Sequence, residues 1–166
     1  TSTASCESKI TFIDGENSEL RYRGYDIADL AGKHSFLDVS YLLMRGKLPT
    51  TEASKNFDLE IRHRSFLNEG IIRLFDALPD GAHPMATMGA ATMALSAFYK
   101  DHLHLEDEEQ FKMMRRRILA KMPVIAAMAY RNSIGTPLIY PDVNRYFTEN
   151  FLYMLRAYPG GRMKYL

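Results

Sequence analysis

Between Met85 and Ala97 the sequence places small side chains at positions pointing in nearly every direction around a helix. Ala86, Gly89, Ala90, Ala91, Ala94 and Ala97 are interleaved with Met85, Met88 and Met93. Pro84 suits the first helical position, where a missing N–H costs nothing. Small residues nearly all round let neighbouring backbones approach closely, so this helix is expected to be buried on more than one side. The rest of the chain must therefore supply helices to pack against it. With 166 residues, 46% hydrophobic and 25% charged, the chain is long enough for a packed core and has an ordinary globular balance.

The surrounding pattern agrees. Ile10 and Phe12, then Leu20 and Tyr22, alternate with polar residues on either side of Asp14-Gly15-Glu16-Asn17, which reads as a β-hairpin with Gly15 taking a positive φ. After Gly24 the period becomes helical. Asp26 can cap a short helix through Ile27, Leu30 and Ala31. Phe36, Val39, Ser40, Leu43 and Met44 give the next apolar stripe, ended by Gly46 and Pro49. Thr50 or Thr51 can cap a helix running to about Ser65. Ile71 to Leu78 forms another, stopped by Pro79-Asp80-Gly81. The acids Glu106 to Glu109 lead into a long helix from about Gln110 to Asn132, with a kink or break expected near Met122 because of Pro123. A last helix is expected from about Val143 to Tyr158. The fold class is all-α, a multi-helix bundle with a short N-terminal β-hairpin. Residues 1–25 form the hairpin and 26–166 the helical portion of one partial domain.

Self-contained catalytic motifs are lacking: no Gly-rich phosphate loop, G-x-S-x-G elbow or H-E-x-x-H pair occurs. A net charge of +1 argues against a bulk nucleic-acid footprint. No apolar run is long enough to span a membrane. Cys6 is the single cysteine, so no internal disulfide or cysteine zinc site forms, in keeping with a cytoplasmic setting. His102 and His104 read as loop histidines rather than metal ligands, and no metal is expected. His83 reads as a polar helix start. Arg62, His63 and Arg64 cluster on one helix, while Arg117 and Lys121, four apart, share a face of another near Tyr99. Cations beside a tyrosine can clasp phosphates and stack a base. From spacing alone the favoured reading is a solvated basic face neutralised by Glu106 to Glu109.

Several segments in order resemble citrate synthases. They are Ser8-Lys9-Ile10-Thr11-Phe12-Ile13-Asp14-Gly15, Leu20-Arg21-Tyr22-Arg23-Gly24-Tyr25-Asp26-Ile27 and Arg45-Gly46-Lys47-Leu48-Pro49-Thr50. His83-Pro84-Met85, Lys121-Met122-Pro123, Ser133-Ile134-Gly135, Tyr140-Pro141 and Asn150-Phe151-Leu152 follow. Thr1 to Glu7, reading TSTASCE, resembles the Gram-negative type II branch.

The resemblance implies a mainly helical enzyme, a homo-oligomer of dimers assembling into hexamers. It condenses acetyl-CoA with oxaloacetate and water to give citrate and CoA, using an Asp and His residues for acid–base and electrostatic work. Those groups lie in strings of the forms L-H-A-D-H-E and G-P-x-H-G-G-A, which do not occur here, so no catalytic residue is assigned. The start at Thr1-Ser2-Thr3-Ala4-Ser5 and the end at Gly160-Gly161 lead us to expect an internal portion, without the N-terminal β domain or the catalytic part, and inactive alone. The helix from Pro84 to Tyr99 is expected at a dimer interface. No cofactor is required. The type II resemblance also implies an allosteric NADH site, and Arg62, His63, Tyr99, Arg117 and Lys121 match its positions. Arg64, Asp142-Val143-Asn144, Tyr158 and Gly160 depart from that pattern. Alternatives are a 2-methylcitrate synthase portion taking propionyl-CoA, or a non-catalytic nucleotide-sensing or oligomerisation module.

Overall fold

The structure, a computed structural model, describes residues 7–99 and 106–157. The chain divides into two compact units, residues 1–58 and 59–166, the division falling inside a helix.

In the first unit, strands β1 (Thr11–Asp14), β2 (Glu19–Tyr22) and β3 (Tyr25–Asp26) form an antiparallel sheet in the order β1-β2-β3. The third strand was not expected. Its turn places both central residues at positive φ, Arg23 at 50° and Gly24 at 87°, the geometry whose twist matches flanking strands. Arg23 tolerates this because it is held: its guanidinium donates to the Leu43 carbonyl at 2.8 and 3.1 Å, and its backbone N–H to Ile10 at 2.8 Å. In the first hairpin the positive φ falls on Ser18, at 55°, and not on Gly15. There Asp14 organises the loop instead, accepting from the Glu16 and Asn17 backbones and the Asn17 amide.

Helix α1 (Ile27–Leu30) is capped by Asp26, as the sequence implied. Helix α2 (Phe36–Arg45) starts in a reciprocal capping box between Ser35 and Asp38 and ends at Gly46 in the left-handed region. Asp38 also accepts from Ser54, and the Tyr41 and Phe57 rings meet edge-to-face at 5.4 Å. The buried side chains are Leu37 and Leu42, whereas Phe36, counted in the expected stripe, is exposed.

Helix α3 (Thr51–His63) crosses the division and is preceded by the Thr50 cap. The second unit holds its last turn with α4 (Glu69–Ala77), α5 (Pro84–Phe98), α6 (Glu108–Ser133) and α7 (Phe147–Arg156). Its core joins Ile71, Ile72 and Phe75 of α4, Ala91 and Leu95 of α5, and Val124, Ile125, Ala127, Met128 and Ala129 of α6 with Met154 of α7. At Gly70 of α4 a Cβ would stand 2.6 Å from the tip of the Phe98 ring, so that exposed ring would have to swing aside to admit one.

Three expectations change here. Of the kink or break expected near Met122, the break does not occur: helix α6 is continuous through Pro123. Losing the bond to the Leu119 carbonyl and crowding the preceding turn costs about 3 kcal/mol. Val124, Ile125 and Met128, all buried just beyond, each return about 1.5–3 kcal/mol, so packing outweighs the proline. Helix α7 begins at Phe147 rather than Val143, because Asp142 folds its own turn. Its carboxylate accepts from the Asn144 N–H, and its N–H donates to the buried Asn150 amide oxygen, both at 3.0 Å. Helix α5 buries only the stripe Thr87, Ala91 and Leu95, leaving Met85 66% and Met93 75% exposed. Within this chain it is covered on one side.

Candidate functional site

The expected site residues lie in the second unit, and the structure separates their roles. Tyr99 follows the last residue of α5 as its C-cap. Arg117 and Lys121, one turn apart on α6, both reach its ring. The Arg117 guanidinium lies 4.5 Å and the Lys121 ammonium 5.8 Å from the ring centroid, within cation–π range. Arg62 on α3 turns elsewhere, donating to the Val143 carbonyl at 2.9 Å and standing 5.6 Å from the Tyr146 ring centroid. His63 is exposed. Tyr158 and Gly160, like His102, His104 and Cys6, lie outside the described residues.

Lys121 is 4% exposed, and its ammonium is taken up by backbone: it donates to the Arg64 carbonyl at 2.9 Å and to the Phe66 carbonyl. These groups belong to the connector between α3 and α4. Burial, with the Arg117 and Arg64 guanidinium groups nearby, pulls the Lys121 amine down from 10.5 to about 8. Among the described residues no carboxylate pairs with it.

Arg117 differs. One terminal nitrogen of its guanidinium is buried and has no hydrogen-bond partner. Such a nitrogen is costly unless an acceptor reaches it, and a guanidinium against an aromatic face suits a phosphate beside a flat ring.

Among the described residues the ion pairs from the start of α6 go first to Lys112, with Arg115 adding a weaker electrostatic pull that also holds the Glu108 carboxyl below its usual range. Glu108 and Glu109 both pair with Lys112, at 2.8 and 2.9 Å. Arg116 pairs instead with Glu60 of α3 at 2.7 Å, and Arg64 shares that carboxylate at 2.9 Å. Sequence spacing could have found Glu60 with Arg64, which stand four apart on one helix face. It had no signal for Arg116 with Glu60.

Arg131 was missed entirely. It is 4% exposed, and its guanidinium donates to the carbonyls of Pro137, of Leu155 and Ala157 at 3.1 Å each, and of Met154 at 3.4 Å. It thereby satisfies the C-terminal carbonyls of α7, where a cation is favoured.

Among the described residues no three His, Cys, Asp or Glu side chains are grouped to hold a metal, and no helix is long and apolar enough to cross a membrane.

Comparison with known proteins places these features in a family. The family described as citrate synthase, C-terminal domain, matches residues 1–164. A citrate synthase of Helicobacter pylori (strain J99) is 47% identical over 165 residues, 99% of this chain and 39% of that protein. The crystal structure of citrate synthase from Pyrobaculum aerophilum superposes with a TM-score of 0.83 at 31% identity, over 92% of this chain and 40% of that one. That from Thermotoga maritima MSB8 superposes with a TM-score of 0.76 at 29% identity, over 97% and 40%. The chain thus spans about two fifths of the length of these relatives. Its helical fold and ordered motifs are theirs, and the chain belongs to the citrate synthase family.

Proposed function

We propose that the chain is part of an acyltransferase that condenses acetyl-CoA with oxaloacetate and water to give citrate and CoA, and that it supplies helical scaffold rather than reacting groups. The observation that carries this reading is 47% identity, over 99% of the chain, to a protein named citrate synthase. The polar groups of the second unit support the scaffold role. Lys121, Arg131 and Asn150 are buried and hydrogen-bonded to backbone, which suits holding the fold together. The exposed apolar face of α5, with Met85, Met93 and Phe98, supports association into a homo-oligomer, a dimer or a hexamer of dimers. The absence of a membrane-spanning helix among the described residues is compatible with a cytoplasmic enzyme.

The test is release of CoA from acetyl-CoA and oxaloacetate. This chain alone is expected to give none, and a chain continued through the two histidine motifs and the later Asp is expected to turn over. Release by this chain alone would contradict the scaffold role. Failure of the continued chain with both substrates would contradict the reaction.

A second reading concerns regulation, and Arg117 favours it. A guanidinium held against an aromatic face, as Arg117 is against Tyr99, is a pairing that can serve a phosphate beside a base, so the region is read as part of an allosteric NADH site. The five residues fit it unequally. Arg117 and Tyr99 are engaged with each other through the ring face and not through backbone. The ammonium of Lys121 is already committed to two carbonyls, and Arg62 is committed to the Val143 loop.

A further inference from the structure

Every helix described except α5 carries an acid in its first turn: Asp29 in α1, Asp38 in α2, Glu52 in α3, Glu69 in α4, Glu108 in α6 and Glu149 in α7. Helix α5 has none, and its cap is also of a different kind. Carboxylate, hydroxyl or amide oxygens of Asp26, Ser35, Thr50, Asn68 and Asp107 cap α1, α2, α3, α4 and α6. At α5 the acceptor is a ring nitrogen: the Met85 N–H donates to Nδ1 of His83 at 3.2 Å. We propose that His83 makes the start of α5 a pH-sensitive joint, capped while the imidazole is neutral and released when it takes a proton.

A neutral imidazole keeps one nitrogen as an acceptor, whereas both are donors in the imidazolium. Protonation therefore takes the acceptor away from Met85. It also sets a positive charge at the positive end of a 15-residue helix, with no first-turn carboxylate to offset it. Pro84 has no N–H, and those of Ala86 and Thr87 bond to the His83 carbonyl, so Met85 is the first-turn donor that depends on the ring. The ring is exposed and, among the described residues, forms no ion pair and no other hydrogen bond. Helix α4 runs antiparallel to α5, Gly70 meeting Phe98, which puts Arg73 and Asp76 toward the His83 end, with Asp80 in the turn between. Helix α6 is antiparallel too, Thr92 meeting Met122 and Tyr99 meeting Arg117, so its titratable groups toward this end are Tyr130 and Arg131. None of these side-chain types ordinarily changes charge between about pH 5 and about pH 8, where imidazoles do. Met85, one end of the exposed apolar face of α5, rides on this turn. Acid is therefore expected to weaken association through that face, a consequence that rests on its reading as an interface between copies.

The test follows the Met85 amide of the whole chain by NMR from about pH 8 to about pH 5. In wild type its resonance is expected to move along one titration curve with the His83 ring protons. Its protection, the exchange rate relative to an unstructured peptide, is expected to fall about tenfold. His83→Asn, whose oxygen caps without titrating, is expected to keep protection at both ends of the range, and His83→Ala to lack it at both. A Met85 amide indifferent to pH in wild type, or one that responds equally in His83→Asn, would overturn the joint. Sedimentation at the same two pH values reads the consequence: self-association about tenfold weaker at the lower pH in wild type and unchanged in His83→Asn is expected. Association that is absent or unchanged while the Met85 amide titrates would overturn the interface reading of this face and leave the joint standing.

Discussion

Helix α6 carries two buried cations ten residues apart, and they solve the same problem with different chemistry. Lys121 holds the connector after α3 through two carbonyls, and Arg131 holds the end of α7 and the Pro137 loop through four. Both are 4% exposed and bond to backbone. The difference lies in what burial does to the charge. An arginine cannot shed its proton, and its planar fork spreads the charge over several acceptors. A lysine concentrates its charge at one atom and can give it up, which is why Lys121 is pulled down to about 8. Similar burial thus yields a fixed clasp at one place and a titratable one at the other.

The largest effect expected is on the fixed clasp. Arg131→Ala strips donors from the C-terminal carbonyls of α7 and from Pro137, and is expected to cost about 3 kcal/mol or more in urea unfolding. Loss of hydrogen-exchange protection confined to α7 and the Pro137 loop would locate the damage. A loss below about 0.5 kcal/mol would break the comparison, since it would mean water replaces the clasp freely.

The titratable clasp predicts a slope. Because the folded amine titrates near 8 and the unfolded one near 10.5, the unfolded chain holds a proton that the folded chain has released between these values. Stability therefore rises with pH through that window and is least below it, by on the order of 2 kcal/mol. Subtracting the profile of Lys121→Arg isolates this contribution from other groups. A difference profile that is flat or falls would show that Lys121 is not desolvated as described.

The other end of α7 gives a neutral counterpart. Asn150 accepts from the Asp142 N–H, so Asn150→Ala is expected to cost about 1 kcal/mol in the same unfolding experiment. Because this clasp is uncharged, the cost should be independent of pH. The smallest change is expected at His63, exposed on the last turn of α3, where His63→Ala should alter stability by less than about 0.5 kcal/mol.

These contrasts also show how much was legible beforehand. Elements announced by their own side chains were readable. Asp26 caps α1, Gly46 ends α2, Thr50 starts α3 and His83 caps α5 through Nδ1, each a local signal. Features decided by distant contacts were not. The turn at Arg23 depends on the Leu43 carbonyl, and the continuity of α6 through Pro123 depends on core packing. The late start of α7 depends on Asn150, eight residues from the Asp142 it holds. In the site, the four-residue spacing correctly put Arg117 and Lys121 on one face of α6, with Tyr99 beside them. Spacing could not say that one would be committed to carbonyls and the other left with a buried donor, because the carbonyls come from a connector more than fifty residues earlier. Arg131 had no sequence signal, since its acceptors are backbone groups of any residue type.

The account turns on that division between cations that hold the backbone and Arg117, which we propose meets a ligand. The direct measurement is an NADH titration at about pH 7, comparing the wild-type chain with Arg117→Ala. Saturable binding that weakens at least about tenfold in the variant, with unfolding unchanged within about 0.5 kcal/mol, is the predicted result. Binding that is equally tight without the Arg117 guanidinium would contradict the assignment and return this arginine to the scaffold.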